Sequence, residues 1–317
     1  MSDDIFVGID CGGTNLRIAA ADEHGGIIRQ ETVCTGDAQE RENGLGQAIL
    51  SLVNAFVSGL DHEGRYVAGI GIGLPFVCWN GKAHLCRNVL ALDPDWLETE
   101  VMGRVRAPVY ITNDVKCAAL GESWLGAARN ADPFVYLNVG TGLSSAFYAD
   151  GRVYQGAHRA AGEIGYWVTD PDAQHGLEDG VGPLEEAMSG VGLSGFYRSH
   201  SPAGELASAE EIFARAERGD QIAIDAIEHG LRHLLPSIAN LLTFIDPEML
   251  VIGGGVSAGL IRFTDRIETY VGRMTPFPPR IVWSALGGLA GIIGAIRFGM
   301  LARDQTRRDE SRPVLSP

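Results

Sequence analysis

Residues 5–15 read IFVGIDCGGTN: an apolar run from Ile5 to Ile9, closed by Asp10 and Cys11, then two glycines. So short an apolar run, bounded by glycine, reads as a buried strand. Glycines let backbone N–H groups approach a ligand closely, and a nest of such groups binds phosphate oxygens. Thr14 and Asn15 add side-chain donors beside Gly12 and Gly13. Phosphate would repel a carboxylate at this point unless a cation sat between them, so Asp10 is a candidate for holding Mg²⁺ through water. The plainer alternative is a glycine turn with Asp10 as its cap, and such turns taken alone are mostly structural.

Working outward, strand-like runs follow near 16–21 and 26–33, then a polar loop around 36–44. Helical spacing appears at Leu45, Ile49, Leu52, Val53 and Phe56. A strand at 67–73, a long loop through Asn88, a helix near 95–104 and a strand at 108–112 come next. Asn113-Asp114 closes that strand and opens a helix over 115–124. A second set then begins with FVYLNVG at 134–140 and the turn Gly140-Thr141-Gly142. Residues 144–149 and 152–155 form a hairpin about Asp150-Gly151, a dipeptide suited to a type I′ turn. A loop-rich stretch runs to about 192. Asp220 caps a helix over 221–244 that Pro236 should kink. Strand 249–252, the GGG turn, helix 258–272, strand 280–284 and a helix near 289–302 complete the pattern. From Arg303 to residue 317 the chain is polar and reads as a frayed tail. The order strand, Gly/Thr turn, strand occurs at 5–21 and again at 134–149. A duplication at half-chain scale fits two similar α/β domains around a cleft, whose two turns would grip a polyphosphate from both sides.

Several residues could carry chemistry. Asp114, at a strand's C-terminal end, is placed to accept the proton of an acceptor hydroxyl, as phosphoryl transfer requires; the alternative is an N-cap for 115–124. Glu163, between Gly162 and Gly165, can accept two hydrogen bonds in a plane from a hydroxyl-rich ligand, or be a solvated turn. Glu185 and Glu186 fit helix-start charges equally well. GGGVSA at 253–258 matches the dinucleotide pattern G-x-G-x-x-A, but the next strand ends in Ser284-Ala285 without the acid that would bind a ribose. An oxidoreductase is thereby disfavoured, and Gly254 and Gly255 read as an edge for a base or ribose. There is no Walker motif. His229 and His233, spaced i, i+4, read as a helix face in the absence of a third ligand.

The chain has 317 residues, enough for about two domains at roughly 150 each. It is 45% hydrophobic and 21% charged, with 40 acidic against 25 basic residues and a net charge of −15. Ordinary composition excludes wholesale disorder, and the acidic balance disfavours sequence-independent nucleic-acid binding. No apolar run reaches the roughly 18 residues of a membrane span, and the acidic start MSDDIF lacks a signal's basic region. Five cysteines without a CxxC pair argue against a disulfide framework. These features fit a cytoplasmic protein.

DCGGTN, ITNDVKCAALGE, LNVGTG, GAHRAAGEIG, LEEAMSG and VIGGGV follow one another in the order and spacing of the ROK family (repressors, open reading frames and sugar kinases), which the chain resembles from about 5 to 302. The resemblance implies a two-domain α/β fold of the actin-like, hexokinase-like (ribonuclease H-like) ATPase type with an interdomain cleft. We expect the first domain to span 1–117 with the helix near 289–302 packing back on it, and the second to span 118–288. The implied activity is ATP-dependent phosphorylation of a monosaccharide, a hexose or N-acetylhexosamine, at the 6-position, by a homodimer. The implied alternative is a sugar-binding regulator without catalysis.

By the same resemblance, Gly12, Gly13, Thr14, Thr141 and Gly142 cradle ATP phosphates, with Asn15 and Asp10 beside them, and Gly254 and Gly255 border the adenosine. Asn88, Asn113, Glu163 and Glu185 hold sugar hydroxyls, and Asp114 is the base. The family's zinc-binding histidine after GEIG is replaced by Tyr166, placed on the sugar side. Its zinc cysteines are missing from HGLEDGVGPLEE, so no zinc is expected. Only nine residues precede Asp10, where transcriptional relatives carry a DNA-binding domain, which speaks against a repressor.

Overall fold

The structure is a computed structural model describing residues 4–80, 82–84, 92–105, 107–170, 172, 180–202 and 204–310, with the side chains of 307–310 excepted. The chain folds into two compact units, Met1–Leu125 with Leu289–Pro317, and Gly126–Gly288.

In the first unit β1 (Ile5–Cys11), β2 (Asn15–Ala21) and β3 (Ile27–Cys34) form an antiparallel meander. Then come α1 (Thr35–Glu42), α2 (Leu45–His62), β4 (Val67–Leu74), the small hairpin of β5 (Val77–Trp79) and β6 (Lys82–His84), α3 (Pro94–Val105), β7 (Val109–Asn113) and α4 (Asp114–Trp124). β4 and β7 join β1 in parallel, giving the order β3-β2-β1-β4-β7. Parallel strands covered on both faces are continuously apolar. Every residue of β1 and of β4 is accordingly buried.

The second unit repeats this plan. β8 (Phe134–Val139), β9 (Leu143–Ala149) and β10 (Arg152–Val153) form its meander, with Asp150 and Gly151 both at positive φ in the turn that the sequence predicts. The helices α5 (Pro183–Ala187), α6 (Gly190–His200), α7 (Ala209–Glu217) and α8 (Gln221–Ile245) follow, then β11 (Met249–Gly253), α9 (Ser257–Leu260), α10 (Thr264–Met274) and β12 (Arg280–Trp283). The sheet order β10-β9-β8-β11-β12 matches the first unit strand for strand, with the same parallel and antiparallel pairings. The half-chain duplication is thus a duplication of topology.

The last helix, α11 (Ala290–Glu310), returns to the first unit and lies on β1, β4 and α4. Its Ile292, Ile293 and Ile296 are buried there. α2 and α3 cover the other face with Ile49, Phe56, Leu60, Leu97 and Val101. Each such side chain contributes roughly 1.5–3 kcal/mol on burial.

Several elements depart from the sequence reading. Most of the stretch around 36–44, read as a polar loop, is helical, in α1; that helix buries only Thr35 and Ala38, so no apolar period announces it. α6 and α7 occupy part of a region read as loop-rich or left unassigned. The helix expected over 258–272 is broken by a 3-10 turn at Ile261–Phe263. A boundary at 117/118 would cut α4, which stays whole because it packs along α11. α11 also continues past 302, where a frayed tail was expected: Arg303 lies 4.5 Å from the Phe6 ring centroid, and its Nη1 donates to Asp4 Oδ2 at 2.9 Å, tying the helix to the start of β1.

Candidate functional site

In the first unit the strand register gathers the candidate residues at one end of the sheet. Asp10 pairs with Gly73 of β4, Gly73 with Thr112 of β7, and Asn113-Asp114 follows directly. At about 4.8 Å per strand, Asp10 and the start of α4 lie two strands, about 10 Å, apart. This is the carboxyl end of the parallel strands, where open α/β sheets bind ligands.

The glycine turn is braced from both sides. Gly12 N–H donates to Asn15 O at 2.9 Å, and a Cβ on Gly12 would press to 3.2 Å from that oxygen. Thr35, which the sequence reading missed, donates its N–H to Thr14 O at 3.0 Å and its hydroxyl to Gly12 O at 2.9 Å. Gly13 and Thr14 stay exposed, and their amide groups have no partner among the described residues. Such a cradle fits phosphate oxygens.

Asp10 is buried, 8% exposed. Its Oδ2 accepts from Arg17 Nη1 at 3.2 Å, and a Cβ at Gly291, in the first turn of α11, would sit 2.5 Å from Oδ1. Burial raises the carboxyl pKa more than Arg17 lowers it. A hard oxygen donor in this state gains from a nearby cation, and Mg²⁺ is commonly held by one or two carboxylates with phosphates and water. The residue therefore fits the proposed ion.

Asn113 and Asp114 divide their tasks. Asn113 is the N-cap of α4, its Oδ1 accepting from Val115 N–H at 3.0 Å and Lys116 N–H at 3.2 Å. The Asn113 Nδ2 has no partner among the described residues and remains a donor. Asp114, read as the possible cap, is instead the first helical residue and half-buried; its Oδ1 also accepts from Val115 N–H, at 2.8 Å. Burial, and then the charges of Asp10 and Asp114, push the Cys11 and Cys117 thiols upward, so these thiols are inert core groups.

The second unit carries the other candidates. Gly140 N–H donates to Gly142 O at 2.9 Å, and the start of α6 grips the turn through Gly190 N–H to Gly140 O (2.7 Å) and Val191 N–H to Thr141 O (3.2 Å). Gly254 has φ +92°, and a Cβ there would strike the Val139 carbonyl; Gly255 borders open space. Val256 N–H donates to Val139 O at 2.9 Å, so the two glycine turns of this unit adjoin. Asn138, another missed residue, pairs with Gly253 as Asp10 pairs with Gly73, and so occupies the duplicate of the Asp10 position. Duplicated topology was the signal that could have found it.

Glu185 Oε2 accepts from Leu143 N–H at 2.8 Å, joining α5 to the Thr141-Gly142 turn. Glu163 precedes and Tyr166 ends a 3-10 turn, Ile164–Tyr166, whose Ile164 is buried in the core, so the segment is not a solvated turn. Asn88 lies outside the described residues.

His229 and His233 pack T-shaped, 4.9 Å between centroids; His229 stacks on Phe196 (5.1 Å), and Phe196 on His200 (4.1 Å). Among the described residues, no group of three or more His, Cys, Asp or Glu could hold a metal. Burial, then His233, Arg232 and His200, lower the His229 pKa against a smaller raising by Glu186. The unfolded chain takes up this proton near pH 6.5, before the folded chain does. This contribution to stability is complete above that value and declines as pH falls below it. Thermal melts between pH 7.5 and 5.5 should show a shallower acid slope for His229→Phe than for the wild type.

The ROK family model matches residues 6–302. This chain belongs to the ROK family. Among its relatives, a glucokinase of Thermotoga maritima is 30% identical over 310 residues, covering 92% of this chain and 95% of its own. An N-acetyl-D-glucosamine kinase of Vibrio parahaemolyticus is 28% identical over 305 residues, covering 92% and 98%. The ROK family glucokinase from Streptomyces griseus, solved in complex with glucose and AMPPNP, superposes with a TM-score of 0.74 at 25% identity over 94% of this chain and 99% of that one. A ROK transcriptional regulator, a homologue of the E. coli MLC protein, shares the fold (TM-score 0.77, 24% identity), with 96% of this chain and 79% of that chain covered. The actin-like ATPase fold is that of the ROK sugar kinases. No helix among the described residues is long and apolar enough to cross a membrane.

Proposed function

We propose that this protein is an ATP-dependent sugar kinase that phosphorylates a hexose or N-acetylhexosamine at the 6-hydroxyl. The observation that carries this reading is the near full-length likeness to proteins named glucokinase and N-acetyl-D-glucosamine kinase. The amides of Gly13 and Thr14, unpartnered among the described residues, and the gathering of that turn with Asp114 at one sheet end, support it.

In this reading Gly12, Gly13, Thr14, Asn15, Thr141 and Gly142 bind the phosphates of ATP, and Gly254 and Gly255 border its adenosine. Asp10 would hold Mg²⁺, which would supply positive charge against that of the phosphates. Asn113 donates from Nδ2 to a sugar hydroxyl while its Oδ1 caps α4. Glu163, Glu185, Tyr166 and Asn88 complete the sugar contacts. Asp114 accepts the proton of the attacking hydroxyl as its oxygen bonds to the γ-phosphorus and the bond to ADP breaks. Closure that excludes water directs transfer to the sugar. The protein acts as a homodimer in the cytoplasm, without zinc.

Incubating the protein with MgATP and glucose, mannose, fructose, N-acetylglucosamine or N-acetylmannosamine, and following ADP release, tests this directly. We expect turnover with at least one sugar. Sugar binding without ADP release would instead favour a regulator that kept the fold.

A further inference from the structure

Glu163 and Tyr166 are carried by a segment, Gly162–Asp170, with little regular structure of its own. Its front is attached to its surroundings at a few backbone points. Ser145 donates to Gly162 O from its N–H at 2.7 Å and its hydroxyl at 3.1 Å, and Trp167 N–H closes the 3-10 turn on Ile164 O at 2.9 Å. Gly182 lies directly against the backbone of Gly165 and Tyr166. Beyond Trp167, the exposed Val168 offers no anchor. There the half-buried Thr169 hydroxyl meets His233 Nδ1 at 2.8 Å, tying the far end of the segment to the middle of α8.

His233 is itself held in place. It projects from a helix of 25 residues, and its ring packs T-shaped on His229, the first step of the ladder through Phe196 to His200 on α6. Ordering a loop before the ligand arrives removes part of the entropic cost of binding, and a small misplacement of a contact group can be expensive.

We propose that His233 is a positioning residue for the sugar: through the Thr169 hydroxyl it fixes the backbone that aims Glu163 and Tyr166. This rests on the assignment of those two side chains to the sugar. Thr169→Val removes the hydroxyl at constant shape, and His233→Phe keeps the ring and removes its nitrogens. Each should raise KM for the sugar roughly fivefold to tenfold, in keeping with one net hydrogen bond. KM for ATP and kcat should stay within about twofold of wild type. Thr169→Ser should restore the wild-type KM, and the double variant should be no worse than either single one.

Lower melting temperatures with an unchanged sugar KM would overturn the proposal, leaving the bond a purely structural one. Hydrogen exchange at amides 163–170 gives a readout that does not need turnover: faster exchange in Thr169→Val is expected, and unchanged exchange overturns the clamp. If the wild type phosphorylates no sugar, the kinase reading fails by itself. Calorimetric sugar affinity then replaces KM with the same expected ratio, and the absence of any sugar binding overturns the positioning role as well.

Discussion

Asp114→Asn should lower kcat by about 10² or more while leaving the affinity for sugar and ATP close to wild type, since general-base catalysis contributes typically 10²–10⁴. The local structure makes this substitution clean. The helix cap is supplied by Asn113, whose Oδ1 takes both the Val115 and Lys116 amides. The Asp114 Oδ1 bond to Val115 N–H can be reproduced by an asparagine carbonyl, so α4 should start where it does now and the melting temperature should hold. What is lost is a group able to accept a proton. Steady-state kinetics on the best sugar of the panel, beside a thermal melt, separate the two contributions. A variant turning over within threefold of wild type would remove Asp114 from the chemistry and leave it as a first-turn helix charge.

Much of the fold was legible because the central strands of its sheets are doubly covered. IFVGID and VAGIGIG have no polar face to blur the pattern, and both form strands buried at every residue. The glycine turns were legible for a related reason: Gly254 sits at φ +92° against the Val139 carbonyl, a place where only glycine fits without strain. Hydrophobic periodicity failed where little is buried. α1 is a polar helix and left no trace in the pattern. α7 could have been found, since Ser208 and Glu211 form a capping box in which each side chain accepts the other's backbone N–H, a signature open to sequence reading. The division of labour at 113 and 114 was not legible, because Asn and Asp both cap helices well and the choice depends on the backbone at the end of β7. Thr35 and Asn138 were missed for a different reason. Each matters through a residue brought next to it by folding: Thr35 bonds a turn more than twenty residues upstream, and Asn138 has meaning only beside its duplicate, Asp10.

The second large effect falls on stability, with no contact to a reacting group. Gly294→Ala should lower stability by about 3 kcal/mol, the upper end of the usual cost of overpacking, and the melting temperature by roughly 10 °C for a unit of this size. A Cβ on Gly294 would land on the Cys117 carbonyl of α4, with the Gly121 amide close by. These are backbone atoms of a well-packed helix, so no side-chain rotation can make room. α11 must move as a body, and it has little freedom to do so. At the next residue the Ala295 carbonyl lies against Gly71 of β4, again where any Cβ would clash, and three residues earlier Gly291 lies against the Asp10 carboxylate. A displaced α11 therefore also disturbs Asp10, and KM for MgATP should rise in the same variant. Gly272→Ala is the matched control: that glycine sits in α10 with nothing near its added methyl, so the change should be neutral or stabilising by up to about 1 kcal/mol. Equal melting temperatures for Gly294→Ala and the wild type would mean that the two helices do not meet backbone to backbone, and with that contact would go the account of how α11 seats Asp10.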